Sequence, residues 1–113
     1  MYDYCLGLVR PRSNLDSLIS ILTQVQLIIG DITDPFRMID IMNTTRPVYL
    51  YHFAAQAINS ISYDNPDLTL EVNVKGTLNL LEALRRNQLT TTRFLLAGSS
   101  TEYGRTADTY DGK

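Results

Sequence analysis

The chain has 113 residues, of which 44% are hydrophobic and 19% are charged, a composition typical of one globular domain or part of one. The formal net charge of −2 and the pI of about 5.2 give no general attraction to nucleic acid or to acidic membranes. No apolar run is long enough to span a bilayer, and no signal peptide is visible. The single cysteine, Cys5, is predicted to be a reduced thiol in the core. We therefore expect a cytoplasmic protein.

Two short apolar runs near the start of the chain predict two strands. The first covers residues 4–9 and ends in the polar turn 10–14, and the second is Val25–Ile29. Between them, apolar residues at helical spacing over Leu15–Leu22 predict a helix of about two turns. The chain therefore begins strand, helix, strand, with polar residues directly after each strand.

A second helix and a third strand follow. Asp34 has the position of an N-cap and Pro35 that of the first helical residue, and we expect this helix to run to about Asn43. One apolar face is predicted from Phe36, Ile39 and Met42. The third predicted strand covers 48–53 and ends in the small residues 54–55.

The second half contains the longest predicted element and the last strand. After a polar loop at 60–65, a helix is predicted over 66–87, with apolar residues on more than one face. Such a helix is deeply buried or also covers a partner. The apolar stripe consists of Leu70, Val74, Leu78, Leu81 and Leu84, and Leu68 and Val72 broaden it. A fourth strand is predicted in the apolar run before Gly98, buried on both faces because Leu95 and Leu96 show no polar alternation.

Strands and helices alternate along the chain, which predicts a parallel sheet with helices on both faces. Ligands of such sheets bind beyond the carboxyl ends of the strands. The candidates there are Arg10 and Arg12, the small residues 54–55 after the third strand, and the run Ser99–Thr101. An ordinary surface turn stays open as the alternative for the arginines and for Ser99–Thr101, and tight helix packing for 54–55. His52 is interpreted as a packed side chain, since no second type of metal ligand lies near it.

Five segments, in order, resemble the extended short-chain dehydrogenases/reductases, the NAD-dependent epimerase/dehydratase family. The resemblance is closest to the branch of GDP-4-keto-6-deoxymannose reductase and GDP-mannose 4,6-dehydratase. The segments are 7–13 (GLVRPRS), 30–34 (GDITD), 51–56 (YHFAAQ), 73–83 (NVKGTLNLLEA) and 98–104 (GSSTEYG). Each is weak alone, but five in the right order are specific. The resemblance implies a partial Rossmann-like parallel sheet with flanking helices over 1–104, lacking its first strand and the C-terminal substrate portion, and a polar tail at 105–113.

The resemblance also assigns cofactor roles. Arg10 and Arg12 would meet the adenosine ribose and its 2′-phosphate, which favours NADP, with NAD still possible, because readers of NAD usually place an acid there. Asp31 and Ile32 would flank the adenine. Four residues would line the path of the pyrophosphate and nicotinamide ribose: Phe53, Ala54, Ala55 and Gln56.

On the substrate side, Ser99 would take the hydroxyl position of the family's catalytic Ser/Thr–Tyr–Lys set and hydrogen-bond the sugar oxygen that gains or loses a proton. Ser100 and Thr101 would contact the substrate, a nucleotide sugar that the resemblance implies to be GDP-linked. The helix over 66–87 would join two copies of the complete enzyme as a homodimer. No metal, nucleic acid or membrane partner is expected.

Two parts of the family's machinery are missing from the pattern. The first strand with its Gly-x-x-Gly-x-x-Gly turn would precede residue 1, and the proton-transferring Tyr-x-x-x-Lys pair would follow Gly104. Tyr110 and Lys113 are only three positions apart (113 − 110 = 3) and are interpreted as coincidence. Because the first strand would be central in the sheet, we expect the chain alone to fold poorly or to rearrange.

A third departure concerns the reaction. Dehydratases of the family need a carboxylate two residues before the tyrosine of Tyr103-Gly104, and that place holds Thr101, with the acid one step later at Glu102. This shift favours reductase or epimerase chemistry over dehydration. The first hypothesis is therefore a fragment of an NAD(P)-dependent nucleotide-sugar reductase, epimerase or dehydratase that is inactive alone. The alternative is a non-catalytic remnant that acts as an interaction module through the helix 66–87.

Overall fold

The computed structural model describes residues 4–103, in which strands and helices alternate as the sequence predicts. The strands are β1 (Cys5–Val9), β2 (Val25–Ile29), β3 (Tyr49–His52) and β4 (Arg93–Leu96). The first three begin and end within one residue of the predicted bounds. The predicted polar tail at 105–113, with Tyr110 and Lys113, lies outside the described residues.

The helical segments connect these strands. A 3-10 helix (Asp16–Ile21) lies between β1 and β2, and α1 (Pro35–Thr45) between β2 and β3. Three helices lie between β3 and β4: α2 (Asn59–Asp64), α3 (Pro66–Leu70) and α4 (Gly76–Arg86). A π-helical turn, Glu71–Lys75, joins α3 to α4 within the span predicted as one helix. The polar loop predicted at 60–65 is wrong, because α2 occupies most of it. Among residues 4–103, no helix combines the length and the hydropathy needed to cross a membrane.

The four strands form two separate parallel pairs. In one pair, Cys5 lies opposite Val25 and the register continues to Val9 opposite Ile29. In the other, Tyr49 lies opposite Arg93 at the start of the pair. Within residues 4–103, β1 and β3 have no strand partner on their second edges. The sheet is therefore interrupted between its two halves, where the resemblance places a missing strand.

One layer of helices covers both strand pairs. Helices α1 and α4 pack against each other, and their buried residues form the core: Ile32, Met38, Ile41, Met42, Leu80, Ala83 and Leu84. Half-buried residues of three strands pack on this core, namely Ile28 of β2, Leu50 of β3 and Phe94 of β4. Because both strand pairs contact the same helices, the core joins the two halves of the interrupted sheet.

The helices bury other faces than the sequence predicts. In α1 the buried side chains include Met38 and Ile41 as well as Met42, whereas Phe36 is 78% exposed. Leu84 of α4 is the one member of the predicted stripe that is buried; the others are exposed, namely Leu70 of α3, Val74 of the π-helical turn, and Leu78 and Leu81 of α4. The buried face of α4 instead combines Leu80 and Ala83 with Gly76 and Asn79. Small residues let the helix approach its neighbours closely, and a count of large apolar residues does not detect this.

Several apolar side chains of the strands and of the Asp16–Ile21 helix are exposed. Leu95 and Leu96 are 47% and 53% exposed, so the prediction that β4 is buried on both faces is wrong. Cys5 is exposed as well, against the prediction of a core thiol. No residue of the Asp16–Ile21 helix is buried. Because successive strand residues point to opposite faces, Leu95 lies on the face opposite Phe94, whereas Leu96 lies on the same face as Phe94 without joining the core.

Candidate functional site

The predicted site residues fall into two groups at the carboxyl ends of the strands. The Gly30 N–H donates to the Val9 carbonyl at 3.0 Å, so the loops that follow β1 and β2 lie side by side. The Ala97 N–H donates to the His52 carbonyl at 3.2 Å, so the loops that follow β3 and β4 are neighbours too. The first group contains the predicted adenosine contacts, and the second contains the predicted nicotinamide and sugar contacts.

Arg10 and Arg12 belong to a tight turn with an unusual backbone conformation. The Ser13 N–H donates to the Arg10 carbonyl at 3.1 Å, which closes the turn, and Arg12 has φ of 64°. With Pro11 second and a positive φ third, this is the pattern of a type II turn, which favours glycine at the position of Arg12. Holding a non-glycine residue there costs about 1–3 kcal/mol. The turn therefore places Arg12 in a strained backbone conformation at the carboxyl end of β1.

The same turn forms one wall of a cavity of about 220 Å³. The cavity is lined by Val9, Arg10, Pro11, Arg12, Ser13, Leu15, Leu27 and Ile29. Neither Arg10 nor Arg12 forms an ion pair within residues 4–103, unlike Arg37, Arg85 and Arg86. Two guanidinium groups beside apolar walls suit a phosphate attached to a flat apolar group, because guanidinium pairs with phosphate oxygens in bidentate geometry.

Asp31 and Ile32 take different positions in the loop after β2. Oδ1 of Asp31 accepts from the Thr33 N–H at 3.0 Å and from the Thr33 hydroxyl at 2.9 Å, which fixes the carboxylate. The second carboxylate oxygen of Asp31 makes no hydrogen bond within residues 4–103 and is available to a ligand. Ile32 is only 6% exposed and packs in the core, and its carbonyl accepts from Asn79 at 2.8 Å. Any contact of Ile32 with a ligand would therefore come from its backbone.

The segment after β3 consists of an exposed aromatic residue, two small residues and Gln56. Phe53 is 68% exposed and continues a stack with Tyr51, their ring centroids 6.3 Å apart. Ala54 and Ala55 are exposed and leave the backbone accessible. The Gln56 N–H donates to Asn73 Oδ1 at 2.7 Å, and Asn73 Nδ2 donates to the Gln56 carbonyl at 3.2 Å.

Ser99 and Thr101 form a hydroxyl pair after β4. Their oxygens are 2.7 Å apart, and the Thr101 N–H lies 3.3 Å from Ser99 Oγ. One hydroxyl donates to the other, so the pair keeps one proton that it can donate to a ligand. Ser100 is exposed between them. The Glu102 carboxylate lies over Gly98, since a Cβ there would be 3.2 Å from Glu102 Oε2.

Sequence reasoning missed two residues that organise the second group. Asn73 lies in the π-helical turn, a feature often found at functional sites. Thr77 Oγ1 lies 2.8 Å from Nε2 of His52, which is 4% exposed, as expected for a packed side chain. Burial lowers the pKa of His52. Gly76, a glycine inside a predicted helix, is a sequence signal of a close approach, and the helix meets Ile32 of the first group at this point.

Solved structures with the same architecture include nucleotide-sugar epimerases. The UDP-glucose 4-epimerase of Brucella ovis, in complex with NAD, is 32% identical with a TM-score of 0.67 over 76% of this chain and 26% of that one. The epimerase Mth375 of Methanothermobacter thermautotrophicus is 29% identical with a TM-score of 0.70 over 84% of this chain and 27% of that one. The fold is therefore the Rossmann-like α/β fold of nucleotide-sugar epimerases and dehydratases.

The sequence model of the family described as GDP-mannose 4,6 dehydratase matches residues 7–111. GDP-mannose 4,6 dehydratase 2 of Caenorhabditis elegans is 42% identical over 77 residues, which are 67% of this chain and 20% of that protein. GDP-mannose 4,6 dehydratase of Drosophila melanogaster is 34% identical over 87 residues, 76% of this chain and 22% of that protein. The chain belongs to the GDP-mannose 4,6-dehydratase family and spans about a fifth of the length of these relatives.

Proposed function

We propose that this chain supplies the adenosine-binding side and a substrate-facing hydroxyl pair of an enzyme that modifies a GDP-linked sugar with NADP. The observation that carries the proposal is the cavity beside Arg10 and Arg12, at the strand ends where this fold binds ligands. The relatives are named as enzymes of a GDP-sugar. Because the chain spans a fifth of their length, the activity belongs to the longer protein.

The described residues fit the adenosine half of a dinucleotide. Arg10 and Arg12 would bind the 2′-phosphate, the apolar cavity walls would contact the adenine, and the second carboxylate oxygen of Asp31 would accept from the adenine amino group. The exposed backbone of 53–56 would lie along the pyrophosphate and the nicotinamide ribose. When bound, the nicotinamide supplies hydride exchange with the sugar. NAD is the alternative cofactor, and solved relatives contain it.

On the sugar side, the Ser99–Thr101 pair would donate a hydrogen bond to the sugar oxygen at which a proton is gained or lost. The relatives' names favour dehydration, contrary to the preference derived from Thr101 in place of an acid. In a dehydration, Glu102, whose carboxylate lies over Gly98, would be the group that takes a proton from the sugar. Reduction and epimerisation stay open, since both use the same hydroxyl pair.

The exposed stripe of α3 and α4 supports a homodimer of the complete enzyme. Its four apolar residues are between 44% and 61% exposed and lie on one side of the helix: Leu70, Val74, Leu78 and Leu81. The alternative, a non-catalytic interaction module, uses the same stripe and finds no support among relatives that are named as enzymes. A cytoplasmic location stays a prediction.

Binding of 2′,5′-ADP and of 5′-AMP to the full chain tests the cofactor site, because the two ligands differ by the 2′-phosphate alone. We expect 2′,5′-ADP to bind roughly 10–100-fold more tightly, the factor for charge-assisted hydrogen bonds of about 1.5–3 kcal/mol. Backbone amide shifts measure both affinities and should change at 10–13 and 30–34. The Arg12→Gly variant keeps Arg10 and should weaken this preference without losing stability, since glycine suits a φ of 64°.

The control is Arg93→Gln. Arg93 is exposed and lies over the Tyr49 ring, with 5.7 Å between its guanidinium and the ring centroid, away from the cavity. This variant should bind both nucleotides as the original chain does. Equal affinities for the two nucleotides in the original chain would refute NADP as the cofactor. Binding without shifts at 10–13 would refute the site.

A further inference from the structure

The segment after β3 is held by the helix at both of its ends. At the start, His52 Nε2 lies 2.8 Å from Thr77 Oγ1. At the end, both backbone polar groups of Gln56 pair with the Asn73 side chain, at 2.7 and 3.2 Å. Between these points the segment contains Phe53, Ala54 and Ala55, which have no polar side chain with which to anchor themselves.

The protons of this chain of hydrogen bonds can be assigned. Thr77 has one hydroxyl proton, and Oγ1 lies 2.8 Å from the Asn73 carbonyl, which can only accept. Thr77 Oγ1 must therefore accept at its contact with His52, so Nε2 carries the proton. Burial disfavours the charged ring and lowers the pKa of His52 below its ordinary value, so the neutral ring is favoured at neutral pH, with its lone pair on Nδ1.

We propose that Thr77 is a positioning residue whose hydroxyl locks His52 in the Nε2–H tautomer and, together with Asn73, clamps the segment 53–56 to the helix. The clamp fixes the backbone of this segment before any ligand binds. Its consequence for a cofactor rests on the proposed function, in which 53–56 lines the path of the pyrophosphate and nicotinamide ribose. The adenosine group lies outside the clamp, beside Arg10 and Arg12.

The lone histidine of the chain makes the lock directly measurable, because the imidazole nitrogen resonances belong to His52 alone. In the original chain we expect one protonated nitrogen, Nε2, and one unprotonated nitrogen. In Thr77→Val, the two tautomers of His52 should average. Hydrogen exchange of the Gln56 amide should become roughly two- to tenfold faster, which is the factor for a net hydrogen-bond contribution of about 0.5–1.5 kcal/mol. Thr77→Ser keeps the hydroxyl and should restore both signals.

Thr92→Val is the matched control. The Thr92 hydroxyl donates to the Pro47 carbonyl at 2.6 Å, before the other end of β3, so its loss should leave the His52 tautomer unchanged. An averaged or Nδ1-protonated ring in the original chain would overturn the proposal. So would a folded Thr77→Val chain with an unchanged tautomer and unchanged Gln56 exchange. If Thr77→Val fails to fold, the imidazole nitrogen resonances of the original chain and of Thr77→Ser still show whether the proton of His52 is on Nε2.

Ligand titrations separate this proposal from the function on which it rests. Thr77→Val should weaken NADP binding by the same two- to tenfold factor and leave 2′,5′-ADP binding unchanged, since the smaller ligand does not reach 53–56. If the lock is present but neither nucleotide binds, the proposed function fails and the lock stands. If NADP binds to a chain in which His52 averages between tautomers, the lock fails and the function stands.

Discussion

Gly76 shows how one residue controls the contact between α4 and the loop after β2. A Cβ at Gly76 would lie 2.6 Å from Ile32 Cδ1 and 2.8 Å from Ile32 Cγ1, closer than packed carbons approach. Ile32 is buried in the core and has little space to move. The glycine therefore permits a helix approach that any larger residue would block.

We predict that Gly76→Ala lowers the free energy of unfolding. Overpacking costs about 1–3 kcal/mol, whereas replacing a helical glycine by alanine gains about 1 kcal/mol, so the net loss is up to about 2 kcal/mol. In an Ile32→Ala background, which removes both close atoms, the same change should become neutral or stabilising. Urea unfolding of the original chain, the two single variants and the double variant measures the coupling energy between positions 32 and 76. A gain of stability from Gly76→Ala in the original chain would contradict this packing.

Local sequence rules predicted residues whose partners lie within a few positions. Asp34 caps α1 as expected, because its Oδ1 accepts from the Arg37 N–H at 3.0 Å. The pairing of Asn73 with Gln56 was not predictable in this way, because it joins residues 17 positions apart through a π-helical turn. The positive φ of Arg12 was not predictable either, since the arginine occupies a position that favours glycine.

At the scale of elements, the last turns of α4 contain a carboxylate between two guanidinium groups. Glu82 accepts from Arg85 at 2.6 and 2.8 Å and from Arg86 at 2.9 Å. These hydrogen bonds, first that of Arg85 and then that of Arg86, lower the pKa of Glu82 to about 2. The carboxylate favours the folded state above its ordinary pKa, and this contribution is lost as the pH falls toward about 2. The group is exposed, so solvent keeps the contribution small.

A carboxyl titration followed by NMR checks this. We expect the pKa of Glu82 to lie well below its ordinary value at low salt and to rise in 1 M salt, as for a screened pair, where the Debye length is about 3 Å. Arg85→Gln should raise the pKa of Glu82 more than Arg86→Gln does, because the Arg85 hydrogen bond is the largest cause. Equal effects of the two variants would show that the assignment to Arg85 is wrong.

The order of elements was predictable, but the faces they bury were not. Apolar periodicity located α1 and α4, because it depends on the helical repeat alone. In α4, the choice between two apolar sides depends on which one meets α1 and the loop at Ile32. Gly76 and Ala83 decide this through close packing, so the predicted stripe ended up exposed.

For the whole molecule, the two sides of α4 should respond differently to substitution. Leu78 is 59% exposed and Leu80 is 3% exposed. We predict that Leu78→Lys leaves the free energy of unfolding within about 0.5 kcal/mol and lowers any self-association. Leu80→Ala should cost about 2–5 kcal/mol, as for a large-to-small change in a core. Denaturant unfolding and sedimentation velocity measure the two quantities.

These measurements also test the proposed dimer surface. Self-association that survives Leu78→Lys would place the contact elsewhere, for example on the exposed face of β3 and β4. That face contains Tyr49 and Tyr51, whose stacked rings have centroids 6.4 Å apart. A Leu80→Ala chain as stable as the original would contradict the core described here.

The sequence by itself determined the alternation of strands and helical segments, the family, and the strand-end loops that contain the candidate site. Each of these depends on local pattern or on motif order, and both are written along the chain. The tertiary structure alone decided which helix faces are buried, that the sheet divides into two pairs, and that Thr77 meets His52. Those features depend on contacts between residues that are far apart in the sequence. The energy of the whole packed arrangement decides which of these contacts form, and no local sequence pattern records it.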